Sequence, residues 1–140
     1  MTDIMLSIHP QHAEAILDGR KTLEIRKTKP TRLNCHEYIY LYATAPVRAV
    51  VGVCEFKGAR DWCAEAPDNA ATIRKIAERA AITAFEVADY WATAPTDEHG
   101  HKWLWTWKLD SPHKFAIPES LDKYGIKRPP QSFCYVKEVI

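Results

Sequence analysis

The sequence predicts an α+β protein built on a curved or closed antiparallel β-barrel with flanking helices. Three observations lead there. β-rich runs bracket a helical middle, two of those runs are joined by only a short Ala45-Pro46 turn, and no repeat, low-complexity stretch or linker interrupts the chain. Residues 1–140 therefore read as one domain, a normal size for one.

Asp3 to Ile8 reads as the first strand. Pro10 opens a helix to Asp18, with proline at the first helical position, Gly19 just past the end, and Ala13, Ile16 and Leu17 on one face. Arg20 to Arg26 is expected as a strand that puts Leu23 and Ile25 on one side and Thr22, Glu24 and Arg26 on the other. Lys27 to His36 is polar, contains Pro30, and reads as a loop. Tyr38 to Thr44 and Val47 to Phe56 are the next strands, the second apolar enough to be central.

Asp68 to Arg79 and Thr83 to Trp91 read as helices, with a capping-box signature at Thr83 and Glu86. Lys102 to Leu109 is a strand with Trp103, Trp105 and Trp107 on one face, more in keeping with a core than with a base-stacking platform. A short helical turn is expected within Phe115 to Tyr124, and a last strand over Ser132 to Val139.

Hydrophobic residues make up 46% of the chain and charged residues 26%. No apolar run is long enough to span a bilayer, and Met1 to Pro10 carry no basic leader pattern, so a cytoplasmic protein with no membrane partner is expected. The cysteines Cys35, Cys54, Cys63 and Cys134 form no CxxC pair, and Cys54 reads as a small core residue. His99 and His101 read as a solvated loop pair, so no metal and no cofactor are expected.

The net charge is only +1, yet Arg20 to Arg32 holds six basic residues and one acid, which leaves about −4 for the rest. A basic patch on a neutral protein favours a localised anionic ligand, and a solvated basic loop is the alternative. Glu24 and Arg26, two apart on a polar strand face, are either a surface pair worth little or a constellation in which arginine holds an anion and glutamate orients it or reads a base edge. Lys21 stands just after the glycine turn, where its stem can reach the same cleft. Glu55, if buried, would need Arg26 or Lys57 as a partner.

Gly19, Lys21, Glu24 and Arg26 match G-x-K-x-x-E-x-R, the signature of the ASCH family in the PUA-like superfamily. Ser7-Ile8-His9-Pro10, Tyr40 to Pro46 with Val50-Val51-Gly52, and Tyr124 to Phe133 resemble, in order, the other segments of phage and bacterial members. The resemblance implies a PUA-like barrel with a cationic cleft beside the first helix, lined by Lys21, Glu24 and Arg26, with Ser7, Tyr42 and Ser132 placed there by analogy of position. Tyr42 is the aromatic expected to stack on a ligand.

The ligand implied is RNA or a nucleotide, bound by a module of a regulatory kind. The alternative is a hydrolase of the same family, with Lys21 and Glu24 catalytic: a metal-independent ribonuclease on single-stranded RNA, or an amidohydrolase on acylated cytidine. In the amidohydrolase branch a threonine nucleophile stands two residues before the arginine, where this chain has Glu24, and a carboxylate does not copy a hydroxyl nucleophile.

Overall fold

A computed structural model of the chain describes residues 3–27, 37–63 and 69–136. The elements in order are β1 (Asp3–Ile8), α1 (Pro10–Leu17), β2 (Leu23–Arg26), β3 (Tyr38–Ala43), β4 (Ala49–Cys63), α2 (Asn69–Ala80), α3 (Ala84–Ala92), β5 (Trp103–Glu119), a 3-10 turn (Leu121–Tyr124) and β6 (Phe133–Val136). The strands form one sheet in the order β2-β5-β4-β3-β1-β6.

Two expectations about the sheet are corrected. It is mixed rather than antiparallel, because β1 and β3 run parallel while the other neighbours are antiparallel. It is also not closed: β2 and β6 are its two edges and share no ladder among the described residues. It is curved enough, however, for side chains of the two edges to meet. Trp107 of β5 packs edge-on against Phe133 of β6 with ring centroids 5.5 Å apart, and Arg26 of β2 reaches Ser132 beside β6.

β4 and β5 run on past the expected ends at Phe56 and Leu109, to Cys63 and Glu119. Gly58 and Ser111-Pro112 suggest strand ends in the sequence. In the fold Gly58, at φ 132°, and Ser111, at φ 49°, are irregularities inside a continuing ribbon. Phe56 pairs with Leu109 and Gly58 with Lys108, so two residues of β4 oppose one of β5, a bulge. The bulge switches which side chains face inward. Phe56 before it and Ala59 after it pack on the same core, and Arg60 and Trp62 turn to the outer face.

The inner core is built from Ile4, Leu6 and Ile8 of β1, Ile39 and Leu41 of β3, Cys54 and Phe56 of β4, Trp107 and Leu109 of β5, and Ala13 and Ile16 of α1. A second core lies on the outer face of β2 and β5, where Ile25 and Leu104 pack on Ile76, Ala77 and Ala80 of α2 and Val87 and Trp91 of α3. The first half of β5 is thus covered on both faces, Trp105 and Trp107 inward and Leu104 and Thr106 toward the helices. The capping box at Thr83 forms as expected: its hydroxyl accepts from the Glu86 N–H at 3.1 Å, and Glu86 accepts from the Thr83 N–H at 3.3 Å. No helix among the described residues is long and apolar enough to cross a membrane.

Candidate functional site

Because Leu23 and Ile25 anchor β2 in the second core, Glu24 and Arg26 face the other way. They face a cleft of about 360 Å³, walled also by Ser7, His9, His12, Lys21, Tyr90 and Gln131. The turn at Gly19, φ 87°, carries the chain from α1 to Lys21. Lys21 is 4% exposed and donates from Nζ to the carbonyl of Ala80 at 2.8 Å. Burial pulls its ammonium below the usual lysine range, and the Arg26 charge adds to that while Glu24 opposes it.

Glu24 is buried. Its Oε1 accepts from the Ile25 N–H at 3.2 Å and lies 3.6 Å from Arg26 Nε. Its Oε2 is buried with no hydrogen-bond partner among the described residues. Arg26 donates from Nη1 to Ser132 Oγ at 2.8 Å and from Nη2 to the Ser7 carbonyl at 3.3 Å, and its Nε has no hydrogen-bond partner among the described residues. The Ser7 hydroxyl donates to the Pro130 carbonyl at 2.6 Å, and the Ser7 N–H to the Ser132 carbonyl at 2.9 Å. The segment before β6 is thereby drawn over the open side of the sheet.

The six residues named from the sequence divide. Lys21, Glu24, Arg26 and Ser7 come together in the cleft. Ser132 touches it through the guanidinium it holds. Tyr42 does not reach it: the side chain is 6% exposed and packs with Met5 and Val50, the 3-10 turn adding cover. Strand alternation decides this, since the neighbours Leu41 and Ala43 point into the inner core and Tyr42 points away from it.

The basic run also divides. Arg20 points out and pairs with Asp18 at 2.8 Å, Lys27 places its ammonium 5.3 Å from the centre of the Tyr90 ring, and Lys29 and Arg32 lie outside the described residues, as does Cys35. Glu55 pairs with Lys57 at 3.1 Å. The backbone N–H groups of His99 and His101 both donate to Asp97, in an exposed turn. Among the described residues no group of three His, Cys, Asp or Glu side chains has the spacing to hold a metal ion.

Two wall residues escaped the sequence reading. His12 stands on the first turn of α1, and burial followed by the Lys21 charge lowers its imidazole pKa below the usual value. Its signal was the pair His9 and His12, one helical turn apart on the polar side of an amphipathic start. Tyr90 stands on α3, where burial raises its phenol pKa. Nothing in its local pattern separates it from a core aromatic.

A family model for the ASCH domain matches residues 6–103. The chain belongs to the ASCH domain family. Over 58 residues it is 40% identical to an ASCH domain-containing ribonuclease of Zymomonas mobilis, a match covering 37% of this chain and 38% of that protein. The crystal structure of ASCH from Zymomonas mobilis superposes with a TM-score of 0.77 over 97% of this chain and 88% of that one, at 22% identity. The N-terminal domain of Staphylothermus marinus McrB gives a TM-score of 0.50 at 13% identity, over 86% and 77% of the two chains. At these identities the structural likenesses are likenesses of fold alone.

Proposed function

We propose that the cleft binds single-stranded RNA or a nucleotide, with Arg26 and Lys21 facing a phosphate and Glu24 accepting a hydrogen bond from a base or a ribose hydroxyl. The observation that carries this is the buried Oε2 of Glu24, which has no partner among the described residues and lies in the field of two cations, Arg26 and Lys21. A buried acceptor left unmade costs about 1–3 kcal/mol, so such atoms are a few per structure and call for a donor. A phosphodiester group by itself has no donor to offer and is repelled by a carboxylate. A nucleotide brings an anion for the cations and an N–H or O–H for the glutamate. The cleft's size lies within the usual small-ligand range of roughly 300–1,000 Å³.

A second reading is favoured by the name of the Zymomonas relative, a ribonuclease. In it Glu24 takes the proton of the ribose 2′-hydroxyl. The 2′-oxygen bonds to phosphorus, the bond from phosphorus to the 5′-oxygen breaks, that oxygen takes up a proton from water, and Glu24 gives its proton back to the solvent. Lys21 and Arg26 stabilise the charged phosphorane. The curvature that brings Arg26 to Ser132 supports reading residues 1–140 as one PUA-like domain with an incomplete barrel, and an RNA ligand fits a cytoplasmic location.

One titration separates the readings. Wild type and Glu24→Gln are mixed with labelled single-stranded RNA and with mononucleotides, with product analysis in parallel. A binder keeps or modestly gains affinity in Glu24→Gln and yields no product with either protein. An enzyme keeps affinity and loses roughly 10²–10⁴-fold in turnover. Arg26→Ala is expected to weaken binding more than Lys27→Ala, whose ammonium faces Tyr90. A wild-type protein without affinity for RNA or nucleotide overturns both readings.

A further inference from the structure

A second concavity, of about 280 Å³, lies on the other side of β2, between α2 and the outer face of β4 and β5. Five of its lining side chains are basic: Lys57, Arg60, Lys75, Arg79 and Lys108. None of its lining residues is acidic. On a chain with 19 basic and 18 acidic residues, that separation of charge is local and strong.

The fold concentrates these cations by identifiable means. The bulge at Gly58 turns Arg60 and Trp62 outward, away from the core that Ala59 enters. Lys108 stands opposite Gly58 on β5. Lys75 and Arg79 are one helical turn apart on α2, where like charges repel. Lys57 is balanced by Glu55. No carboxylate among the described residues pairs with Arg60, Lys75, Arg79 or Lys108.

The groove also holds a planar platform. The indole N–H of Trp62 donates to Thr106 Oγ1 at 3.0 Å, which fixes the ring. The Arg60 guanidinium lies 3.7 Å from the ring centre. An indole covered by a guanidinium offers a flat cationic surface of the kind on which an unstacked base rests.

We infer that this groove is a second nucleic-acid contact, which takes the sugar–phosphate backbone of a single strand on Lys75, Arg79 and Lys108 and a base on the Arg60–Trp62 layer. It extends the reading of the cleft, since Leu23 of β2 lines the groove and its neighbour Glu24 lines the cleft, so one strand can lie in both. The groove's own chemistry carries it. An acidic peptide would satisfy the cations and leave the planar layer without a use, which is why a nucleic acid is favoured.

The test is fluorescence anisotropy of a 5′-labelled 16-nucleotide single-stranded RNA across a salt series. The proteins are wild type, Lys75→Glu/Arg79→Glu, and Arg26→Ala, each checked for folding by circular dichroism. Lys75→Gln/Arg79→Gln replaces the charge reversal if that variant does not fold. The α2 double variant is expected to lose at least tenfold in affinity. Its slope of log K against log salt is expected to flatten by about 1.4, two contacts at roughly 0.7 each. Unchanged affinity and slope in the folded variant overturn the inference. If Arg26→Ala binds as wild type while the α2 variant is weakened, the groove stands and the cleft reading falls; the reverse result leaves the cleft and removes the groove. A 16-residue polyglutamate bound as tightly as the RNA, and lost in the same α2 variant, overturns the inference in favour of an acidic protein partner.

Discussion

The guanidinium of Arg26 donates to the hydroxyl of Ser132 at 2.8 Å, joining residues 106 positions apart across the open side of the sheet. The same group lies 3.6 Å from the Glu24 carboxylate. Ser132→Ala removes one hydrogen bond to a charged group and is expected to cost about 1.5–3 kcal/mol. Arg26→Ala also strips a buried carboxylate of its counter-charge, and about 3–5 kcal/mol is expected. Adding Glu24→Gln to Arg26→Ala is expected to restore part of that loss. Urea unfolding of wild type, Ser132→Ala, Arg26→Ala, Glu24→Gln and the double variant checks the order, and additive losses in the double variant would refute the coupling.

Gly52 sits where two elements close on β4. A Cβ there would stand 2.5 Å from Leu17 Cδ2 and 2.6 Å from the His113 carbonyl oxygen. The leucine can turn aside, but the carbonyl belongs to the paired strand. Gly52→Ala is expected to destabilise by about 1–3 kcal/mol and to displace α1, which carries His12 and leads to Lys21. Weaker RNA binding alongside a lower melting temperature would show it; an unchanged melting temperature would rule it out.

Much of this geometry could be read from local pattern. Pro10 and Gly19 bound α1, the Thr83–Glu86 pair starts α3, and the alternation of β2 sets Glu24 and Arg26 apart from Leu23 and Ile25. What failed were features that depend on a partner strand. Gly58 and Ser111-Pro112 look like strand ends until the opposite strand shows that the ribbon bulges and continues. The parallel pairing of β1 with β3, and the strand order, leave no mark on local periodicity. Tyr42 belongs to the cleft only by its place in a motif, and its face is decided by Leu41 and Ala43, which point into the inner core. Tyr90 entered the site from a helix far along the chain, where a buried tyrosine and a wall tyrosine look alike.

Burial, with a smaller push from the Glu24 charge, drives the Cys54 thiol pKa up to about 12. The thiolate is the reacting form, so Cys54 is expected to resist iodoacetamide at pH 8 in the native protein. Cys63 is only half-buried and is expected to react before Cys54. Peptide mass spectrometry before and after unfolding gives the answer, and equal labelling of Cys54 in both states would contradict the packing described.

His12 makes stability depend on pH in a stated direction. Its folded pKa lies below the ordinary 6.5, first through burial and then through Lys21. The unfolded chain therefore binds the proton more readily, and stability falls as pH drops below 6.5 until the folded pKa is passed. Melting temperatures at pH 7.5 and 5 are expected to differ less in His12→Gln than in wild type. An equal difference in the two proteins would remove His12 from the account.

The seam between β2 and β6 has a consequence for how the protein is made. Arg26 leaves the ribosome about a hundred residues before Pro130, Gln131 and Ser132 emerge. Until they do, the guanidinium lacks its hydroxyl partner and the cleft lacks the wall that Gln131 supplies. A nascent chain stalled before residue 130 therefore presents β2 and α1 without a finished pocket. Capture of the proposed ligand therefore waits for residues 130–132, and a ligand present during synthesis can act only after β6 has joined the sheet.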